Sequence, residues 1–125
     1  MSRASFKRTA RIASLVRAVL SETIQYHVKD PRVEGVTITD VEVSGDLREA
    51  KVFVCTSRPE LTDTDLIEGL NKASGFLRRK LGEQVKLRTT PSLRFFIDES
   101  LDYGARIEAA LHKIKAEQNA DDDDA

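Results

Sequence analysis

Residues 71–82 read NKASGFLRRKLG, a short stretch in which an apolar helical pattern, a glycine and a run of cations coincide. Leu66, Leu70, Ala73, Leu77 and Leu81 keep helical spacing across Gly75, so one buried stripe is expected to run through the glycine. Lys72 and Arg79, seven residues apart, fall on the opposite side, and Arg78, Arg79 and Lys80 follow the glycine closely. Glycine costs about 1 kcal/mol relative to alanine inside a helix, so its presence here predicts two helical pieces joined at a kink, with positive charge outside. Close packing of another element against Gly75 is the plainer explanation, but it leaves the adjoining cations unexplained.

Working outward, Thr62 or Asp63 is placed to cap this segment ahead of Leu66 and Ile67, and Gly82 to end it. Upstream, residues 6–28 read as a first helix with Ile12, Leu15, Val16, Val19, Leu20, Thr23 and Ile24 on one wide face. Arg3, Lys7 and Arg11 stack at four-residue spacing on the other. Pro31 stops that helix, and Asp30-Pro31-Arg32 turns the chain. Val36 and Ile38, then Val41 and Val43, predict a strand whose phase changes near Thr39-Asp40, the mark of a bulge. Gly45-Asp46 supplies a turn, and residues 50–56 alternate Ala50, Val52 and Val54 against Lys51, Phe53 and Cys55, which predicts an antiparallel hairpin.

Beyond Gly82, Val85 and Leu87 and then Leu93, Phe95 and Ile97 alternate around Thr90-Pro91, with the last strand expected at Leu93–Asp98. Ser100 is placed to cap a final helix over Leu101–Lys115, with Tyr103, Ile107, Leu111 and Ile114 on one face. Residues 116–125, ending in four aspartates, are expected to be a disordered acidic tail after a domain spanning 1–115. The order helix, strand, strand, kinked helix pair, strand makes an α+β layer structure with helices against one three-stranded sheet.

The formal net charge of −1 hides a strong asymmetry. Without Glu117 and Asp121 to Asp124, the remaining 20 basic and 16 acidic residues leave +4. Residues 1–30 hold six basic and two acidic residues, and residues 72–94 hold seven and one. These are two basic surfaces, each opposite an apolar stripe. No apolar run approaches the ~20 residues of a membrane span, and Arg11 and Arg17 interrupt the only N-terminal candidate for a secretory core. One cysteine, Cys55, excludes an internal disulfide, and two scattered histidines leave no metal site, so no cofactor is expected and a reducing cytoplasm is the natural compartment.

Catalytic readings find no constellation. His27 and His112 have no nucleophile motif around them, and Asp98, Glu99 and Asp102 are explained by the preference of acids for a helix start. The six glycines are dispersed, with no phosphate-binding loop among them. Nucleic-acid binding uses the unusual features best, because Arg and Lys attract phosphates without regard to sequence. RNA suits a wide, shallow surface better than DNA does, since no recognition helix for a major groove is evident. Phe53, on the outer face of the expected sheet, is a candidate platform for a base. The alternative, from a different class, is a protein-interaction module that docks on another protein through the basic helix and hairpin.

Four ordered segments resemble the ribosome-binding factor A family of bacterial small-subunit assembly factors. They are Val28-Lys29-Asp30-Pro31-Arg32 after a basic helix, Gly45 to Val54 (GDLREAKVFV), Phe76 to Gly82 (FLRRKLG), and Thr90-Pro91-Ser92-Leu93-Arg94-Phe95 followed by Asp98-Glu99-Ser100. The resemblance spans residues 3 to about 112. It implies a type II KH-like fold in which an Ala-x-Gly kink, here Ala73-Ser74-Gly75, stands where KH domains carry Gly-x-x-Gly. It also implies binding to the 30S subunit and its 16S rRNA near the 5′ end and central pseudoknot, help with late 5′-end processing, and importance for growth in the cold. Release with the aid of a ribosome-associated GTPase is implied as well, and a monomer is expected. Together the charge pattern and the resemblance give the candidate RNA contacts. Arg3, Lys7, Arg8 and Arg11 supply one group, and Lys72, Ala73, Ser74, Gly75, Arg78, Arg79, Lys80, Lys86 and Arg88 the other.

Overall fold

The computed structural model describes residues 3–99, in which two long helices cover one face of a three-stranded sheet. Helix α1 (Arg3–His27) leads through a single 3-10 turn, Pro31–Val33, into strand β1 (Val36–Val43) and its hairpin partner β2 (Glu49–Thr56). Helix α2 (Asp63–Gln84) then crosses to β3 (Ser92–Ile97), which lies parallel to β2 on the side away from β1. This is the α+β architecture expected from the sequence. The expected helix over Leu101–Lys115 and the acidic tail lie outside the described residues, as do Asp102 and His112.

The core forms where the three periodic patterns meet. Val16 and Leu20 of α1, Leu66, Leu70, Leu77 and Leu81 of α2, and Ala50, Val52 and Val54 of β2 are all fully buried. Ile38 and Val41 both face this core although they are three positions apart, because the register of β1 against β2 shifts between Ile38 and Asp40. The bulge read from the alternation is therefore present, and it re-phases the strand so that both branched residues stay inside. The hairpin turn closes with Ser44 N–H donating to the Glu49 carbonyl at 2.9 Å. The left-handed residue of this turn is Leu47, at φ 62°, while Gly45 has an ordinary conformation. Leu47 packs partly against the core, which compensates for a backbone geometry that L-residues disfavour.

Helix α2 corrects the sequence reading in two places. It is assigned as one continuous α-helix through Gly75, so the segment does not divide into the two separate helices expected. Four fully buried leucines, two on each side, hold the segment helical, and their combined burial outweighs a glycine penalty of about 1 kcal/mol. The helix also continues past Gly82 to Gln84. A Cβ at Gly82 would meet the Thr90 hydroxyl oxygen at 2.8 Å, so that glycine serves the close approach of the 86–91 segment and does not end the helix. The start is as expected: Thr62 caps α2, accepting from Asp65 N–H, while the Asp65 carboxylate reaches back to Thr62 N–H. Residues 85–88 form no strand; Val85 is buried and Leu87 packs against the core from an irregular segment.

Candidate nucleic-acid interface

Four of the cations singled out in the sequence, Arg8, Arg78, Arg79 and Arg88, line two hollows. The first, about 330 Å³, is lined by Gly75, Arg78, Arg79, Gly82 and Thr90, so it runs along α2 against the segment that enters β3. A Cβ added at Gly75 would meet no heavy atom within 4 Å. Nothing in the fold's own packing therefore requires glycine there, and close packing of another element on Gly75 is ruled out among the described residues. Arg78 has a structural role, since its guanidinium donates to the Thr90 carbonyl at 2.8 Å and to the Pro91 carbonyl at 3.3 Å. It thereby fixes the loop wall of the hollow. Arg79 and Lys80 sit 5.4 and 5.7 Å from the centre of the Phe76 ring, and Lys80 also pairs loosely with Glu83 at 3.7 Å.

The second hollow, about 460 Å³, lies between the start of α1, the hairpin turn and the loop before β3. Arg8, Arg48 and Arg88 line it, with Asp46 as the one acid among the described residues. Asp46 is occupied within the turn, accepting from the Ser44 hydroxyl and from Arg48 N–H, and these bonds hold its carboxyl below the ordinary value. The loop carrying Arg88, Thr89 and Thr90 joins the two hollows along the chain. Lys72 is exposed on α2, and Ala73 and Ser74 are half-buried beside it. Lys7, Arg11 and Lys86 are exposed and line neither hollow; Arg3 begins α1, and its side chain is outside what is described.

Sequence reasoning missed Arg48 as a site residue, because only the folded hairpin turn brings it to Arg8 and Arg88. It also missed Phe76 and Lys29. Phe53, considered as a base platform, has its ring stacked on Phe96 with centroids 5.7 Å apart, on a sheet face where Glu42, Lys51 and Arg94 mix their charges.

The turn after α1 is clamped. The Asp30 carboxylate accepts from the Arg32 backbone N–H at 2.9 Å and from its guanidinium at 2.7 Å, and Arg32 extends to Glu68 of α2 at 3.6 Å. The Arg32 hydrogen bonds, side chain first, hold the Asp30 carboxyl down to about 2 from its usual 3.8. A carboxyl depressed in the folded state stabilises above its unfolded value and loses that contribution as pH falls through the folded one. Asp30→Asn is thus expected to lower the denaturant midpoint at pH 5, and its difference from the wild type should vanish as pH approaches about 2. A difference that persisted undiminished at that pH would contradict the clamp.

Comparison with known proteins matches this architecture. A family model described as ribosome-binding factor A matches residues 8–111. Ribosome-binding factor A of Halothermothrix orenii is 44% identical over 115 residues, 92% of this chain and 94% of that relative. That of Brevibacillus brevis is 45% identical over 116 residues, 93% and 96% of the two chains. The crystal structure of ribosome-binding factor A from Thermus thermophilus aligns with a TM-score of 0.65 at 27% identity, covering 71% of this chain and 94% of that one. A solution structure of a Thermotoga maritima protein described as a putative ribosome binding factor A aligns with a TM-score of 0.63 at 35% identity, covering 71% and 85%. A homology model of the Thermus thermophilus factor, fitted into a cryo-EM map of a 30S complex, aligns with a TM-score of 0.57 at 27% identity, covering 67% and 88%. With its family model matched over residues 8–111 and relatives above 40% identical along nearly their whole length, the chain belongs to the ribosome-binding factor A family.

Proposed function

We propose that this protein is a non-enzymatic assembly factor that binds the 30S ribosomal subunit through its 16S rRNA and favours one conformation of that RNA. In this reading it assists late maturation and 5′-end processing and acts in the cytoplasm as a monomer. A ribosome-associated GTPase then aids its release. A factor of this kind shifts a folding equilibrium by binding one state more tightly, with no bond made or broken. Family membership supports the reading, as does the fitting of the Thermus thermophilus relative into a 30S complex map. The KH-like assignment rests on the helix–strand–strand–helix–strand order and on Ala73-Ser74-Gly75 within α2.

The observation that carries the proposal is the exposed Gly75 in a hollow flanked by Arg78 and Arg79. A glycine whose Cβ position meets none of the described residues, set among cations, suits the close approach of a phosphate backbone. Gly75→Ala separates the two roles. Its side chain has free space and a helical backbone, so stability is expected to rise by about 0.5–1 kcal/mol. Affinity for small subunits is expected to fall, because the added methyl stands where the backbone would pass. Higher stability with unchanged affinity would remove Gly75 from the interface.

Co-sedimentation with mature and precursor small subunits across a salt series tests the whole reading. If about five phosphates of single-stranded RNA are neutralised, log affinity should fall against log salt with a slope of roughly −3.5. Absence of binding to either particle would overturn it. Docking on a ribosomal protein is favoured by one observation: Leu15 and Tyr26 of α1 are 46% and 67% exposed, and eleven residues of helix bring them to one face. Binding that survives nuclease treatment of the partner would support that reading instead.

A further inference from the structure

A third hollow, about 520 Å³, opens where the end of α1 and the following turn meet the middle of α2. It is shallow and open, the shape of a surface platform more than of an enclosed cleft. Val28, Pro31, Ala73 and Phe76 give it an apolar floor, and Lys29 and Lys72 give it a charged rim. Asp30 lines it too, but its carboxylate is already held by the Arg32 guanidinium and backbone N–H. No ion pair among the described residues engages Lys29 or Lys72, so the charge offered to a ligand is positive. An apolar slot with an aromatic wall and cations at its mouth has the chemistry of a nucleotide site. The base is a flat apolar plate, and its phosphates want the rim.

We propose that this groove holds one unpaired base of single-stranded RNA, stacked on Phe76, with the flanking phosphates on Lys72 and Arg79. The assignment rests on the RNA-binding reading above and gives it a base subsite. Phe76 is half-buried, and Arg79 and Lys80 lie against its ring one turn further along α2, while Lys72 and Ala73 lie one turn back beside the opening. Arg79 also lines the hollow at Gly75, so a strand leaving the groove passes directly onto the adjoining face of α2.

The test compares an adenosine hexaribonucleotide with a hexamer of abasic riboses, which keeps the phosphates and removes the bases, on the full chain and on Phe76→Leu. The wild type should bind the adenosine hexamer about tenfold or more tightly than the abasic one. Phe76→Leu should bring that ratio close to one, while affinity for the abasic hexamer and the salt slope stay unchanged. Methyl resonances of Val28 and Ala73 in the wild type should shift on adding the adenosine hexamer, a readout that does not depend on the variant folding. Equal binding of both oligonucleotides, or unmoved Val28 and Ala73 methyls at saturation, overturns the subsite. If salt-dependent RNA binding persists in that case, the wider reading stands; if neither hexamer nor small subunits bind, the RNA reading itself has failed. Shifts of the same methyls with an acidic peptide and none with RNA would reassign the groove to protein docking and overturn the proposal.

Discussion

Changing Lys72, Arg79 and Lys80 together to alanine is expected to weaken binding to small ribosomal subunits about 100-fold near 0.1 M salt. The size follows from counterion release: each phosphate contact on single-stranded RNA contributes about 0.7 to the slope of log affinity against log salt, so three contacts remove about two decades. The same loss should flatten the measured slope by about 2, which separates lost charge from lost shape. Arg78 is left in place because its guanidinium holds the Thr90 and Pro91 carbonyls, and its removal would disturb the wall of the hollow as well as its charge. Folding should be little affected. Lys72 and Arg79 are exposed, and the Lys80–Glu83 pair, at 3.7 Å on the helix surface, belongs to a class that contributes about 0.3–0.5 kcal/mol. A variant of normal thermal stability whose affinity and salt slope match the wild type would remove α2 from the interface.

The elements of this fold are legible in the sequence wherever one local pattern is enough to decide them. The phase change at Thr39-Asp40 marks the bulge, and Thr62 marks the cap of α2, because each is set by residues a few positions apart. The interruption at Gly75 misleads for the complementary reason. A local penalty of about 1 kcal/mol is set against a tertiary term, the burial of Leu66, Leu70, Leu77 and Leu81, that depends on α1 and the sheet. Gly82 reads as a stop, whereas the fold uses it for contact with Thr90, eight residues on. The site is legible as charge and less so as geometry. Arg78 and Arg79 are indistinguishable in sequence, yet one donates to backbone carbonyls and the other lies over Phe76. Arg48 and Phe76 gain meaning only when a hairpin turn meets the start of α1 and the end of α1 meets α2.

Leu77→Ala is expected to cost about 3–5 kcal/mol, a large share of the roughly 5–15 kcal/mol that stabilises a domain of this kind. Leu77 is fully buried in the cluster that joins α1, α2 and the sheet, so truncation removes apolar contacts on every side and leaves a cavity. At about 4 °C or more per kcal/mol, the thermal midpoint should fall by at least about 12 °C. Two positions earlier, Gly75→Ala is expected to move stability in the opposite direction. The contrast arises because one residue faces the core and the other faces open space on the same unbroken helix. Leu77 also separates structural from binding effects, since its neighbours Phe76, Arg78 and Arg79 project from the same turn. Well below its own melting temperature, Leu77→Ala should bind small subunits with an unchanged salt slope, because no cation has been lost. A loss of less than about 1 kcal/mol would mean that α2 does not rest on this leucine, and the account of why the helix runs unbroken through Gly75 would fail with it.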